Sequence, residues 1–493
     1  MDIIRGIFSL LGGRIGVTLL AVIITPLLVR ILGSAQYGDY AAIISIISLL
    51  MIIANAGIVS GLQKYIGQDR ENEQWVKQVF GFYFRVGLLL SAGVAVFILI
   101  VSSTEFARSV FGFEFITYLY IAAALVIFKQ IYRMVRGFLL GYGKEHLSSV
   151  VMFLRKLFFG ILGVGLAYYG LGVLGVLGGY LIATLIAIVI GAVLIGSDVL
   201  KSVFVRTDDS FPSYELMVFN LSTVVLIVFM NSLLYVDILL LRALIGSEQT
   251  GYYKGALVLA EFLWIVPIII QTVLIHSSAE LWEKRDINKI NRISSKISRY
   301  TLWLTVILAI GLGVLADVFV PLYYGAEFTP AVVPLLVLLP GAVFYAVARP
   351  ILAFGVGKGD LRPLIYGVGM AAAMNLALNI ALIPRYGMYG AAVATSFSYG
   401  SMFFFQWWAS SQIGFTPVRD LRLFRLTTVI LVTVPSIYYL TSVIDSSVIA
   451  LVIVPPVGFL IYLGLSLGTG VIDRSEIAHL FRRSPIPTEQ LFR

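Results

Sequence analysis

The chain has 493 residues, of which 59% are hydrophobic and only 12% charged, with a formal net charge of +9. That balance excludes an ordinary water-soluble globule, which is roughly half apolar and a quarter charged. The lack of cysteine excludes a disulfide framework, thiol chemistry and a cysteine-ligated metal site, and only three histidines are present, His146, His276 and His479.

Apolar runs long enough to cross a hydrocarbon core, about 20 residues each, are expected at 7–32, 37–62, 79–103, 115–141, 146–169, 173–196, 214–242, 251–278, 301–324, 329–355, 362–384, 387–413, 421–443 and 447–469. The runs are continuous rather than alternating, which excludes a membrane barrel, and backbone groups in lipid must pair within their own segment, so each run is read as a helix. The first run, from Ile7, is too long for a signal-peptide core, and no A-x-A-like cleavage site accompanies it, so it is read as a retained helix. The expected fold class is an all-α integral membrane protein of about fourteen transmembrane helices.

Positive charge tests that order. With the N-terminus inside, nearly all of the 35 lysines and arginines fall on the cytoplasmic side. The opposite side receives only Arg30, Arg108, Arg242, Lys254 and Arg385, while Arg14 lies within the first helix. A miscounted helix would scramble the alternation, which instead holds to a cytoplasmic C-terminus. A multi-pass cell-membrane location is expected, and the net positive charge is read as basic loops rather than affinity for nucleic acid.

The chain also repeats itself. Gly33-Ser34-Ala35-Gln36-Tyr37-Gly38-Asp39-Tyr40 recurs as Gly246-Ser247-Glu248-Gln249-Thr250-Gly251-Tyr252-Tyr253, each copy between two expected helices. At nearly the same spacing, Gly143-Lys144 matches Gly357-Lys358 and Tyr169-Gly170 matches Tyr386-Gly387. Six helices per copy is an even number, so both copies enter the membrane in the same direction and enclose a site between them. The expected organisation is an N-lobe at 1–196, a cytoplasmic linker at 197–213, a C-lobe at 214–413, two further helices at 414–469 and a tail at 470–493. The segment Glu283–Arg299 spaces Ile287, Ile290, Ile293 and Ile297 at helical intervals among basic residues, which fits an amphipathic helix on the cytoplasmic interface.

Two parallel six-helix lobes, two extra C-terminal helices and the G-x-x-x-x-G-x-Y turn resemble the polysaccharide flippases of the multidrug/oligosaccharidyl-lipid/polysaccharide exporter superfamily. The second half is similar to a pattern of that family, an Asp in helix seven followed by a short apolar run and the turn, here Asp237 through Arg242 and then Gly246 through Tyr253. The resemblance implies alternating access by two lobes that carry a polyprenyl-linked oligosaccharide to the outer leaflet. The partners it implies are that lipid-linked oligosaccharide, membrane lipids and cell-envelope glycan-assembly enzymes.

Ionisable groups at membrane depth are costly and are therefore functional candidates. A phosphate or pyrophosphate headgroup calls for cations, and the arginine fork suits it. Arg14 lies mid-run in the first helix and is read as a phosphate ligand or a residue reaching for the interface. Lys129, Arg133 and Arg136 share one face of helix four, with Arg136 read as a helix-end charge. Arg155 and Lys156 in helix five are adjacent and point in different directions, so they cannot both line one cavity. Arg349 in helix ten is read as a mouth residue or a topology charge. Asp237 and Glu261 are expected either to bind Na⁺ or a proton for coupling or to neutralise an arginine of the opposite lobe. Asn375 and Asn379 share a face of helix eleven and are read as sugar ligands or as interhelical hydrogen-bonding residues.

No cofactor or metal is expected beyond a coupling ion. The stretches Gly141-Tyr142-Gly143-Lys144-Glu145 and Gly355-Val356-Gly357-Lys358-Gly359 lack the leading glycine and the following Ser or Thr of a nucleotide-binding loop. A membrane glycosyltransferase or polymerase would need a sizeable aqueous catalytic loop, and the loops here are short, so no enzyme activity is expected. A multidrug exporter of the same superfamily would favour twelve helices and an acidic or aromatic cavity. Phe403-Phe404-Phe405-Gln406-Trp407-Trp408 keeps that reading open, and a non-transporting scaffold is a further alternative.

Overall fold

The computed structural model describes residues 2–205, 211–218, 221–473 and 476, with side chains described except at 2–11, 14, 217–218, 221–223 and 276. No strand occurs among the described residues, and eleven of their helical stretches are long and apolar enough to cross a membrane. The protein is a multi-pass membrane protein, all-α over the described residues.

Three of the long stretches carry a glycine with non-helical backbone inside them. Helix α1 (Asp2–Asn55) breaks at Gly33 (φ 68°, ψ 179°). The stretch Glu145–Ile195 comprises α6 (Glu145–Leu166), one wider turn and α7 (Gly172–Ile195), with Gly170 at φ 90° and Gly172 at φ 50°. Helix α16 (Arg362–Ile413) breaks at Gly387 (φ 55°, ψ −133°). Only glycine enters such backbone without strain, and each break falls where the sequence places a boundary between two spans.

Two boundaries move. The second expected span stops at Asn55, because Ala56 and Gly57 have positive φ (38° and 78°), and the chain resumes as a separate helix, α2 (Ile58–Gln68). The residues expected to lie flat on the interface instead begin the ninth span. Asp286 caps α13 (Ile287–Val314) by accepting the Lys289 N–H at 3.0 Å, and Ile290, Ser294, Ser295, Ser298 and Arg299 are buried. Their partner is protein rather than lipid, since the Asn291 side chain accepts the Thr416 N–H at 2.7 Å and Ser295 donates to the Thr416 carbonyl at 3.0 Å.

In the first half, α1, α3 (Glu73–Ser102), α5 (Phe113–Gly141), α6 and α7 pack on one another. In the second half, α10 (Leu221–Leu244), α12 (Ile265–Glu283), α13, α15 (Val332–Lys358) and α16 do the same. The halves meet where α1 packs on α10 and on α11 (Ser247–Glu261). A Cβ added at Gly38 would fall on the Ser247 carbonyl, and one added at Gly251 on the Ser34 carbonyl. Ser34 and Gly38 are the repeat counterparts of Ser247 and Gly251, so the two copies of the motif pack reciprocally, each glycine receiving the other copy's backbone.

Helices α17 (Leu423–Val443) and α18 (Ser447–Thr469) are tied to α13 by an ion-pair cluster. Arg299, 1% exposed, donates to Asp420 at 2.7 Å and to both Glu476 oxygens at 2.6 and 2.8 Å. Arg422 bonds Asp420 at 3.0 Å and Asp473 at 2.8 Å, and Lys296 reaches Glu476 at 3.1 Å. The hydrogen-bonded Arg422 guanidinium holds the Asp473 carboxyl below the usual carboxylate range. A group depressed in this way stabilises the fold above its unfolded pKa of about 4, and that contribution is lost as pH falls through the folded value.

Arg299→Gln is therefore expected to destabilise the purified protein by about 2 kcal/mol, because the charge-assisted hydrogen bonds of a buried guanidinium to Asp420 and Glu476 are lost while Arg422 and Lys296 remain beside those carboxylates. Thermal denaturation in detergent at pH 7 checks this, and an unchanged midpoint would refute the clamp.

Candidate functional site

The reciprocal glycine contact carries a polar seam. Arg242 on α10 reaches Asp39 on α1 at 2.6 Å, with side chains only 9% and 15% exposed, and Ser247 donates to the same carboxylate oxygen at 2.9 Å. Arg242 also donates to the Phe111 carbonyl at 2.9 Å and lies over the Phe115 ring at 5.2 Å. Beside it, Glu327 accepts the Ser34 N–H at 2.7 Å, Arg30 donates to the Tyr323 carbonyl at 3.2 Å, and the Tyr323 hydroxyl donates to the Val22 carbonyl at 2.5 Å. The charge count places Arg242 on the outer side and assigns Asp39 no partner, yet the two form an ion pair between the halves.

The first half gathers cations on α5 and α6, against Tyr180 of α7. Arg155 lies between the rings of Tyr132 and Tyr180, at 4.7 and 5.2 Å, and its buried Nε has no hydrogen-bond partner. Lys129 lies 6.0 Å from the Tyr180 centroid, Arg133 is within electrostatic reach of Tyr180 and of Tyr235 on α10, and Lys156 lies 5.0 Å from the Phe159 ring. Among the described residues, none of these four cations makes a salt bridge to a carboxylate. The aromatic faces offer part of the solvation that water would supply. The side chain of Arg14 lies outside the described residues.

A cavity of about 160 Å³ sits between the halves against the seam, lined by Tyr37, Tyr40, Lys156, Tyr235 and Lys254 among others. Arg155 does not line it; the neighbouring Lys156 does, as expected for adjacent residues on a helix. Lys254, which the charge count places on the outer side, instead faces this cavity from α11.

The second half holds the acids, and here the expected partners change. Asp237 is fully buried, and its carboxylate accepts the Tyr253 hydroxyl, the Thr395 hydroxyl at 3.0 Å and the Ile238 N–H at 2.8 Å, with no arginine in the set. Glu261 pairs with Lys254 of its own helix at 3.9 Å, again not with an arginine of the other half. Asn375 and Asn379 are 1% and 0% exposed, so no sugar reaches them. Asn375 donates to Thr395 at 3.5 Å, which links it to Asp237, and Asn379 donates to the Asn375 carbonyl at 2.9 Å, with its Oδ1 buried and without a partner. Arg349 is not at a mouth: it donates to Gln271 at 3.1 Å and stacks on Tyr345 and Trp264 at 4.8 and 5.1 Å.

Two repeat signals were available and went unread. Tyr132 and Arg136 recur as Tyr345 and Arg349, and each arginine lies over the tyrosine one turn before it, at 5.7 and 4.8 Å. The motif glutamines Gln36 and Gln249 sit against the helix-breaking Gly172 and Gly387, and Gln249 accepts the Met388 N–H at 3.0 Å.

Where the second half meets the two C-terminal helices, α13, α14 (Ala316–Tyr324), α17 and α18 enclose an apolar groove of about 570 Å³, lined by residues such as Leu308, Leu312, Phe319, Ile437 and Pro455. Tyr323 lines it as well, and through Val22 it joins the groove to the seam.

A family model described as "Polysaccharide biosynthesis protein" matches residues 3–282, more than half of the chain. An uncharacterized membrane protein of Methanocaldococcus jannaschii is 25% identical over 271 residues, and the match takes in 54% of this chain and 53% of that one, about half the relative's length. Among solved structures, the lipid II flippase MurJ in an inward closed conformation superposes with a TM-score of 0.71 at 17% identity, over 94% of this chain and 98% of its own. An inward-facing multidrug resistance MATE family transporter of the MOP superfamily does so with a TM-score of 0.63 at 15% identity, over 82% and 98%. At these identities the likeness shows a shared fold.

Asp39→Asn is expected to loosen the seam, since removing one member of a buried charge pair costs about 3 kcal/mol. In this cysteine-free chain, a single Ser34→Cys substitution is then modified at least several-fold faster by a water-soluble maleimide when Asp39→Asn is also present. Equal rates would show that the ion pair does not hold the halves together.

Proposed function

The chain belongs to the polysaccharide biosynthesis protein family, and from that premise we propose that it is a flippase carrying a polyprenyl-(pyro)phosphate-linked oligosaccharide across the cell membrane by alternating access. It moves its substrate and leaves every bond intact. The observation that carries this reading is the group of Lys129, Arg133, Arg155 and Lys156, held at membrane depth without a carboxylate partner among the described residues. Such cations are stable at low cost only when an anion arrives from outside the protein. A phosphate or pyrophosphate headgroup is that anion, with Arg14 proposed as a further ligand on α1.

The groove beside α17 and α18 supports the lipid half of the substrate: it is apolar, it lies between the second half and the two C-terminal helices, and Tyr323 connects it to the seam. With the basic loops on the cytoplasmic side, both termini are cytoplasmic and the Gly38–Gly251 seam closes the outer end. Two lobes, 1–196 and 214–413, then rock about the cavity, and substrate enters from the cytoplasm. The same acceptor side favours an enzyme of cell-envelope glycan assembly as the recipient. A multidrug exporter for cationic compounds would need carboxylates at the cavity, where Lys156 and Lys254 stand instead.

Asp237 is proposed as the coupling residue. Its carboxylate and the Thr395 hydroxyl beside it offer oxygen ligands to a hard cation, and a proton on Asp237 is the other candidate. Bound charge there would neutralise a carboxylate that has only neutral partners.

Lys156→Gln is expected to lower transport of a fluorescent lipid-linked oligosaccharide at least tenfold in sealed vesicles read leaflet by leaflet. Unimpaired flipping, or efflux of cationic drugs with no movement of the lipid, would reject the assignment. Sodium is expected to raise the wild-type melting midpoint and to leave Asp237→Asn unmoved. A midpoint of the wild type that responds to pH but not to sodium would assign a proton instead.

A further inference from the structure

Lys254 has no role in the arrangement so far, yet its position is unusual. It stands on α11 one residue after Tyr253, faces the cavity between the halves opposite Lys156, and its side chain is 18% exposed. Two helical turns further along the same helix is Glu261, 29% exposed, whose carboxylate is 3.9 Å from the Lys254 ammonium. Lys129, Arg133, Arg155 and Lys156 of the first half make no salt bridge among the described residues, whereas this cation of the second half has a carboxylate partner, held at the outer limit of an ion pair. The cavity also carries three tyrosines, Tyr37, Tyr40 and Tyr235, whose hydroxyls and ring faces suit a polar, oxygen-rich group placed between the lysines.

We propose that Lys254 is the second half's ligand for the anionic headgroup, and that Glu261 occupies it until the headgroup arrives. This rests on the flippase reading and deepens it. An anion held between Lys156 and Lys254 competes with Glu261 for the same ammonium. Its arrival spans both halves with one ligand and releases the Glu261 carboxylate. The released carboxylate is then a better site for a cation, so binding of anion and cation reinforce each other, and by linkage the effect is equal in both directions. An empty cavity keeps the pair closed and takes up neither. Lys254 is thus a substrate-binding residue, and Glu261 acts through it as a positioning residue.

The probe is inorganic pyrophosphate, titrated calorimetrically into the detergent-solubilised full chain. Glu261→Gln is expected to tighten pyrophosphate binding about tenfold, within the usual range of coupling between sites. Lys254→Gln is expected to weaken it about tenfold, Lys254→Arg to retain it, and the Lys254→Gln, Glu261→Gln pair to match Lys254→Gln alone. Size-exclusion profiles and melting midpoints like the wild type's identify the folded variants, and Lys254→Arg preserves charge if Lys254→Gln does not fold. Tightening by Glu261→Gln that persists without Lys254 would overturn the switch, because Glu261 would then act on the anion directly. Wild-type binding with no tightening in Glu261→Gln would also overturn it while leaving the flippase reading intact. A wild-type chain indifferent to pyrophosphate would reject both.

Discussion

Two backbones can touch only where neither presents a side chain, and Gly38 and Gly251 satisfy that condition from opposite halves of the chain. The rest of the arrangement is built outward from this contact. It brings Asp39 within 2.6 Å of Arg242, sets Tyr37 against Phe328 at 6.2 Å, and places Tyr37 and Tyr40 at the closed end of the cavity. Because the two glycines are repeat counterparts, neither half can move away without exposing two polar backbone segments at once. A contact of that kind favours two states over a continuum.

Charge is divided between the halves in a way that hydrocarbon makes expensive. Opposite charges at membrane depth would neutralise each other most cheaply in one place. Here the first half keeps Lys129, Arg133, Arg155 and Lys156 among aromatic rings, while the second half keeps Asp237 among hydroxyls. Ring faces and hydroxyls stabilise an ion without cancelling it. The pairs that do close between or beside these groups, Asp39 with Arg242 and Lys254 with Glu261, lie at the seam and the cavity rather than within either cluster, which is the division of charge the proposed function draws on.

The helical class and the repeat were legible in the sequence because they depend on one-dimensional quantities, hydropathy along the chain and spacing between glycines. The breaks at Gly33, Gly170 and Gly387 fall at expected boundaries for the same reason. The amphipathic segment after Glu283 was misread because its isoleucines report an apolar neighbour without saying whether that neighbour is lipid or the loop at Thr416. Lys254 was counted as an outer charge because counting by side cannot distinguish a loop from a cavity-facing helical turn. Asp237 and Glu261 are read in the sequence as sites for a coupling ion or as partners of an arginine; neither meets an arginine, because partners are chosen by helix rotation, which no single sequence reveals. The Tyr132/Arg136 and Tyr345/Arg349 pairs could have been found by carrying the repeat spacing into the helices rather than stopping at the turns.

The clamp around Arg299 fixes α17 and α18 to α13, and those same helices are walls of the apolar groove. A channel framed this way keeps one width however the two halves swing. Leu308, Leu322 and Phe459 on its rim are each at least 40% exposed, so it is a gutter rather than a tunnel. A gutter measures the breadth of what lies in it and is blind to length: an acyl or isoprenoid chain of any number of units can lie there with its far end trailing among the surrounding lipids. In the proposed cycle, selection then falls on the polar end of the cargo.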